Sequence, residues 1–389
     1  YQLMPDERVE MSRARATSGR RRIAAVLGAL SLVGALQATG PVAAEPGPGY
    51  FATDNVEWIS TLPIETDGAG ARLVGKYFYV TTSRYLSIYD VSSPEAPARV
   101  GTLPLPQQPQ FAEEDVDTNG KVLLVGTLGD VYVINVEDKS NPTITATLVG
   151  ADEHTVSCIL KCKYAYGSEG VIIDLRDPTA PKVVGDWAEK TAAPDGGHDV
   201  TEIAPGLVVT STQPILFLDA RKDPVHPKVI AMGANDDGRY IHGNLWPQKG
   251  KARFLLVGGE TTGNCGDAGS GQFMTWDTKG WRKHHTFKMV DELAMENGLP
   301  TDGDMPANTF CAHWFETHPT YENGGLVAMD WYEHGTRFLD VSKKGQISEV
   351  GYFVALASAA SAPYWVTDEI LYSVDYNRGI DILRFTGKP

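Results

Sequence analysis

The stretch Tyr85-Leu86-Ser87-Ile88-Tyr89-Asp90-Val91, followed by Ser92-Ser93-Pro94-Glu95-Ala96-Pro97-Ala98-Arg99-Val100-Gly101, decides the fold. Its first half is rich in branched and aromatic residues, which fit the pleated surface of a strand. Asp90 ends that strand. Proline then sets a turn, because its ring locks φ and it cannot donate to a ladder. A second strand follows, and the unit repeats. Strands ending in an acidic residue or its amide recur at 130–136, 170–175, 215–220, 272–277, 336–341 and 379–385. Counted from the acidic position, the successive spacings are 45, 39, 45, 58 and 63 residues. Units near 40–45 residues with four short strands each are the blades of a β-propeller, and seven copies predict seven blades. The last copy ends the chain at its third strand. The segment 56–62 near the N-terminus is expected to supply the fourth and so remove an open sheet edge.

The run Leu86-Ser87-Ile88-Tyr89-Asp90-Val91-Ser92-Ser93-Pro94 resembles the LVIVD-repeat family of exported bacterial β-propellers. Five copies are clear and two are degenerate. The fifth and sixth lack the proline turn, continuing as Thr278-Lys279-Gly280 and Ser342-Lys343-Lys344-Gly345. The resemblance implies a propeller and export, and no single activity.

The 389 residues are 42% hydrophobic and 21% charged, a composition that builds a core and excludes disordered, collagenous and coiled-coil chains. Arg13, Arg15, Arg20, Arg21 and Arg22 precede an apolar run at 23–36, and Pro41-Val42-Ala43-Ala44 follows it. That order is a secretory signal peptide cleaved after Ala44, with Tyr1 to Glu10 read as upstream of a start at Met11. The arginines leave general and twin-arginine export both open. The mature chain, 45–389, is then one propeller domain with insertions around 258–313. Losing six arginines and three acidic residues takes the net charge from −15 to −18. Such a chain repels phosphate backbones, so nucleic acid is excluded as a partner. No mature stretch is apolar and long enough for a membrane span.

Export places all four cysteines in an oxidising compartment. Cys158 and Cys162 are spaced for a disulfide across a β-turn, and Cys265 and Cys311 pair by elimination. A zinc site at Cys158 and Cys162 would need a second Cys or His pair at finger spacing, which is missing.

The repeat also supplies a register. His154 lies 13 residues before Gly167, His198 13 before Ser211 and Glu113 13 before Gly126. Tyr240-Ile241-His242-Gly243-Asn244 and Cys311-Ala312-His313-Trp314 mark the starts of the next two innermost strands. Four of the nine histidines therefore share one slot at the mouth of the central channel, with Glu113 on a fifth blade. Several neutral imidazoles converging on one point suit a transition metal, with iron or copper favoured and manganese or zinc possible. Calcium and magnesium prefer all-oxygen shells.

Glu113 is expected to serve as ligand, ligand-orienting anchor or general base. Glu260 and Glu316 are expected to orient histidines. His318 is read as a neighbour of the site or a surface-loop residue. Trp246, Trp314 and Trp365 are read as cavity walls or core, and His284-His285 as solvated. Asp236-Asp237-Gly238 and Asp302-Gly303-Asp304 are read as acidic turns. No phosphate loop or nucleophile elbow is present. The expected function is that of a secreted metalloprotein with a His ring, a metal-dependent, redox-leaning enzyme on a small molecule. The alternative is a non-catalytic propeller binding a protein or glycan, with structural histidines and a protein partner that the sequence does not name.

Overall fold

The acidic residue that marks each repeat owes its place to the turn that follows it. Asp90 Oδ1 accepts Ser92 N at 2.9 Å, Asn135 Oδ1 accepts Glu137 N at 2.9 Å, and Asp174 Oδ1 accepts Arg176 N at 3.0 Å. Asp219 and Asp277 do the same to Arg221 N and Lys279 N at 3.1 and 2.8 Å. Each is an Asx turn, in which a short side chain satisfies the backbone two residues on. The sixth copy uses Ser342 Oγ instead, and Asp381 of the seventh sits within its strand, paired with Arg378.

These strands are the third members of four-stranded antiparallel sheets in a computed structural model that describes residues 49–64, 68–106, 116–127, 129–151, 153–233, 239–260, 271–295 and 312–388. The segment 1–44, Glu113, Cys265, Cys311 and both acidic turns lie outside the described residues, as do 261–270 and 296–311 of the expected insertion. All described residues belong to one compact unit, Ala43–Pro389.

The innermost strands, in order, are Gly68–Val74, Val116–Thr118, Val156–Ile159, Val200–Ala204, Gly243–Leu245, Phe315–Thr317 and Ala360–Trp365. They define sheets 1 to 7. Sheets 4 and 5 are joined by a two-residue parallel pairing, Met232 with Thr286 and Gly233 with Phe287. Tyr50–Ala52 adds a fifth strand to sheet 6. Val56–Leu62 pairs antiparallel with Gly379–Phe385 as the fourth strand of sheet 7. In every sheet the register shifts by a bulge between third and fourth strands, which increases the local twist.

The core lies between the sheets. Seven buried clusters occupy successive seams. One of them joins the last sheet to the first, where Phe78 meets Tyr372 edge-on at 5.4 Å. Gly101 shows why the repeat carries a glycine in its outer strand: a Cβ there would lie 1.9 Å from the Lys139 carbonyl of the next sheet's turn. This is a β-propeller. Its inner strands bring their first residues towards one another, which is what builds the site.

Candidate metal centre

Three of the four ring histidines are held by one backbone arrangement. His198 N donates to Ser211 O at 3.0 Å, His242 N to Gly258 O at 2.9 Å and His313 N to Asp330 O at 2.9 Å. In each case the acceptor lies at or just beyond the end of the second strand, so the register is the same in sheets 4, 5 and 6. His154 precedes the inner strand of sheet 3 by two residues, as His198 and His313 precede theirs. The imidazoles then follow one another around the axis. Ring centroids are 4.6 Å apart from His154 to His198, 3.8 Å from His198 to His242 and 4.4 Å from His242 to His313. His242 and His313 are fully buried, His198 is 6% exposed and His154 is half-buried.

The carboxylate of the cluster is Glu260, just beyond the second strand of sheet 5. Its Oε2 is 3.8 Å from His242 Nε2. Ligand atoms of His198, His242 and Glu260 all lie within 4.8 Å of one another, the one such group among the described residues. The Tyr332 hydroxyl donates to Glu260 Oε1 at 2.7 Å, so one carboxylate oxygen is fixed and the other faces histidine. Tyr332 follows the second strand of sheet 6 with φ of 42°, a left-handed conformation costly for an aromatic residue. Its ring lies 4.6 Å from His313 and stacks on Tyr376 at 6.0 Å.

Hydrogen bonding sets two tautomers. His198 Nδ1 is 3.1 Å from the His242 carbonyl, and His313 Nδ1 is 2.7 Å from the Ser361 carbonyl. A carbonyl only accepts, so each Nδ1 carries the proton and each neutral ring keeps its lone pair on Nε2. Both bonds cross a seam to the next sheet.

Trp314 forms the floor beneath the histidines. Its ring is 4.8 Å from that of His242 and 6.0 Å from that of His198. Gly243 makes room for it, since a Cβ there would come within 3.1 Å of the indole. Below this floor is a chamber of about 520 Å³ lined from all seven inner strands.

Several expected residues lie elsewhere. Glu316 does not orient a histidine: its Oε2 accepts Trp365 N at 2.6 Å, it lines the chamber, and burial pushes it up to about 7. His318 is neither beside the cluster nor on the surface. It is 2% exposed, with Nδ1 on Thr320 Oγ1 and Nε2 on Asp368 O, both 2.8 Å. Trp246 is core, packed between sheets 4 and 5 with Nε1 on Ala252 O at 2.7 Å. Trp365 is likewise buried in the seam of sheets 6 and 7. Trp314 alone of the three walls the chamber, and His284 and His285 are exposed as expected. Cys158 and Cys162 form a disulfide across the turn between the first two strands of sheet 3.

Sequence reasoning missed Tyr332, whose only signal is a conformation that sequence does not show. It also missed Asp199 beside His198, although residues alternating along an inner strand share a face.

No protein-family model matches the chain, and no curated protein matches it. Solved structures do. The structure of U3-55K aligns with TM-score 0.55 at 9% identity, covering 85% of this chain and 98% of that one. The crystal structure of RRP9 WD40 repeats aligns with TM-score 0.57 at 9% identity, covering 85% and 97%. At that identity the likeness establishes the propeller fold and nothing of the chemistry.

Proposed function

We propose that this chain is an exported β-propeller of the LVIVD-repeat kind that holds one transition-metal ion on its axis. His198, His242 and Glu260 are the ligands, with His154 and His313 flanking them. The observation that carries the proposal is the approach of those three side chains to within 4.8 Å of one another, in a buried setting where Tyr332 fixes the carboxylate. Two imidazoles and one carboxylate suit iron or zinc, with coordination positions left open. The carboxylate narrows the preference away from copper. In its finer form the proposal is a metal-dependent, redox-leaning enzyme on a small molecule, the open positions giving substrate or water access to a Lewis acid or redox centre. The Cys158–Cys162 disulfide supports export to an oxidising compartment.

Zinc and iron(II) titrations of chelator-dialysed protein test this. One equivalent should bind in the wild type, and His242→Ala and Glu260→Gln should each weaken binding at least tenfold, with exposed His284→Ala as the neutral control. Wild-type protein that binds neither ion at micromolar concentration would sink the proposal.

A second reading has its own support. The seam-crossing bonds of His198 and His313 would hold neighbouring sheets together without any ion. WD40-type rings are typically non-catalytic and bind proteins, so the fold likeness adds to this reading and not to the catalytic one. In that case the histidines are structural and the loop faces bind a protein or glycan. Histidine variants that lose stability in metal-free buffer, in a protein that takes up no ion, would establish it.

A further inference from the structure

Sheet 5 departs from the repeat at its outer rim. Sheets 1 to 4 each carry a proline in the turn between third and fourth strands, whereas sheet 5 runs Thr278-Lys279-Gly280-Trp281-Arg282-Lys283-His284-His285. Trp281–His284 form one helical turn, entered at Gly280 with φ of 80° and left at His285 with φ of 56°. The turn is pinned from below. Trp281 packs on Phe217 at 4.8 Å and on Trp246 at 5.8 Å, in the seam between sheets 4 and 5. Thr286 and Phe287 then pair with Met232 and Gly233 of sheet 4, which fixes the exit as well.

What this pinned turn displays is positive charge. Lys279, Arg282, Lys283 and Lys288 are all exposed, and the one carboxylate between 277 and 288 is Asp277. Arg253 Nη2 already holds Asp277 Oδ2 at 2.9 Å. None of the four cations has an ion pair among the described residues, and Arg282 lies over the Trp281 ring at 4.8 Å instead. Other sheets neutralise the cations near their Asx turns: Lys76 meets Asp90, Arg176 meets Asp174 and Arg221 meets Asp219. A chain of net charge −15 therefore concentrates unpaired positive charge on one rim. Beside it runs a groove of about 540 Å³ lined by Lys279, His284 and Lys288 and by the apolar Phe287, Met289 and Val290. Its one carboxylate is the paired Asp277. Val290 is 42% exposed, as is Met232 across the parallel pairing.

Charge sets the sign of the occupant, and the lining sets its kind. A flat lipid surface does not enter a groove, and a polyuronate has no apolar side chains to lay against Met289 and Val290. An extended polypeptide offers both, because its successive side chains alternate in direction. We propose that this groove docks an acidic, extended segment of a partner protein. Carboxylates of that segment meet Lys279 and Lys288, and apolar side chains between them cover Met289 and Val290. The net negative charge of the chain repels such a segment from other faces, and the local positive charge directs it to this one. The surface lies on the outer rim and serves whether or not the axis holds a metal.

The test follows the fluorescence anisotropy of a labelled peptide built from Glu-Asp-Leu-Glu repeats, titrated with the full chain. Saturable binding should appear, and the same peptide with serine in place of leucine should bind severalfold more weakly. Lys279→Glu combined with Lys288→Glu should weaken binding about tenfold or more, because two attractions become repulsions. Val290→Ser should weaken it severalfold. All three positions are exposed, so folding is spared. Lys182→Glu, an exposed cation on the fourth strand of sheet 3, is the control and should leave affinity unchanged. No saturable binding, equal affinity for the serine peptide, or an equal loss in Lys182→Glu would overturn the proposal. Alginate or phosphatidylglycerol vesicles bound more tightly than the leucine peptide would overturn it in favour of a glycan or a membrane. Self-association of the full chain that the double charge reversal abolishes would put a second copy in the groove instead.

Discussion

Replacing Tyr332 by phenylalanine removes one oxygen and leaves the rest of the site in place. That oxygen donates to Glu260 Oε1 at 2.7 Å, while Oε2 lies 3.8 Å from His242 Nε2. Glu260 is 15% exposed, so water replaces the lost donor poorly. A hydrogen bond to a charged group is worth about 1.5–3 kcal/mol. At about 1.4 kcal/mol per decade, that predicts a 10- to 100-fold weakening of zinc binding, the range usual for partners that orient a metal ligand. Stability should change little, since the ring keeps its neighbours His313 and Tyr376 and the left-handed backbone costs phenylalanine what it costs tyrosine. The assay is a competition titration against a chromophoric chelator at pH 7.5, with a thermal melt of the same samples. A variant that binds zinc within twofold of the wild type would show that Tyr332 does not position Glu260. A large drop in Tm beside lost affinity would show that the hydroxyl supports the fold instead.

Three further outcomes follow from the fold. Converting Cys158 and Cys162 to serine opens a five-residue loop, which in the chain-entropy account costs about 2 kcal/mol, read as a lower urea midpoint. Deleting residues 49–62 strips the partner from Gly379–Phe385 and exposes its edge, so the truncated chain should self-associate on size exclusion while the full chain does not. Burial pushes Glu153 up to about 8 and both Glu316 and Asp330 up to about 7. Raised carboxyl pKa values mean that the folded chain holds protons which the unfolded chain has released. Stability from these groups is therefore greatest below about pH 4 and declines as pH rises towards 8. Melts between pH 5 and 8.5 should show a falling Tm, and a rise over that window would refute the assignment.

The architecture was legible because one local rule repeats. An Asx turn needs Asp or Asn at a strand end, so the third strand of a sheet leaves a visible mark at Asp90, Asn135, Asp174, Asp219 and Asp277 even where proline is missing. From those marks the inner strands could be counted back, and the histidines fell into one slot because the backbone pairing at His198, His242 and His313 is the same. The count works only along inner strands, which limits what it can find. Glu260 reaches the cluster from beyond a second strand and Tyr332 from a turn, so neither has a position in that register. The tryptophans stayed open between cavity wall and core for a related reason. Trp314 follows His313 directly and turns to the axis, whereas Trp246 lies past the end of its strand and turns into the seam. Membership of an inner strand says that a side chain is near the axis, and its parity along the strand says whether it faces it. Asp199 and Thr201, like Trp314 and Glu316, alternate from the residue that follows each histidine, and all four line the chamber. The chemistry of the axis is thus written in two registers: one sets which strands begin together, and the other sets which of their residues see the channel.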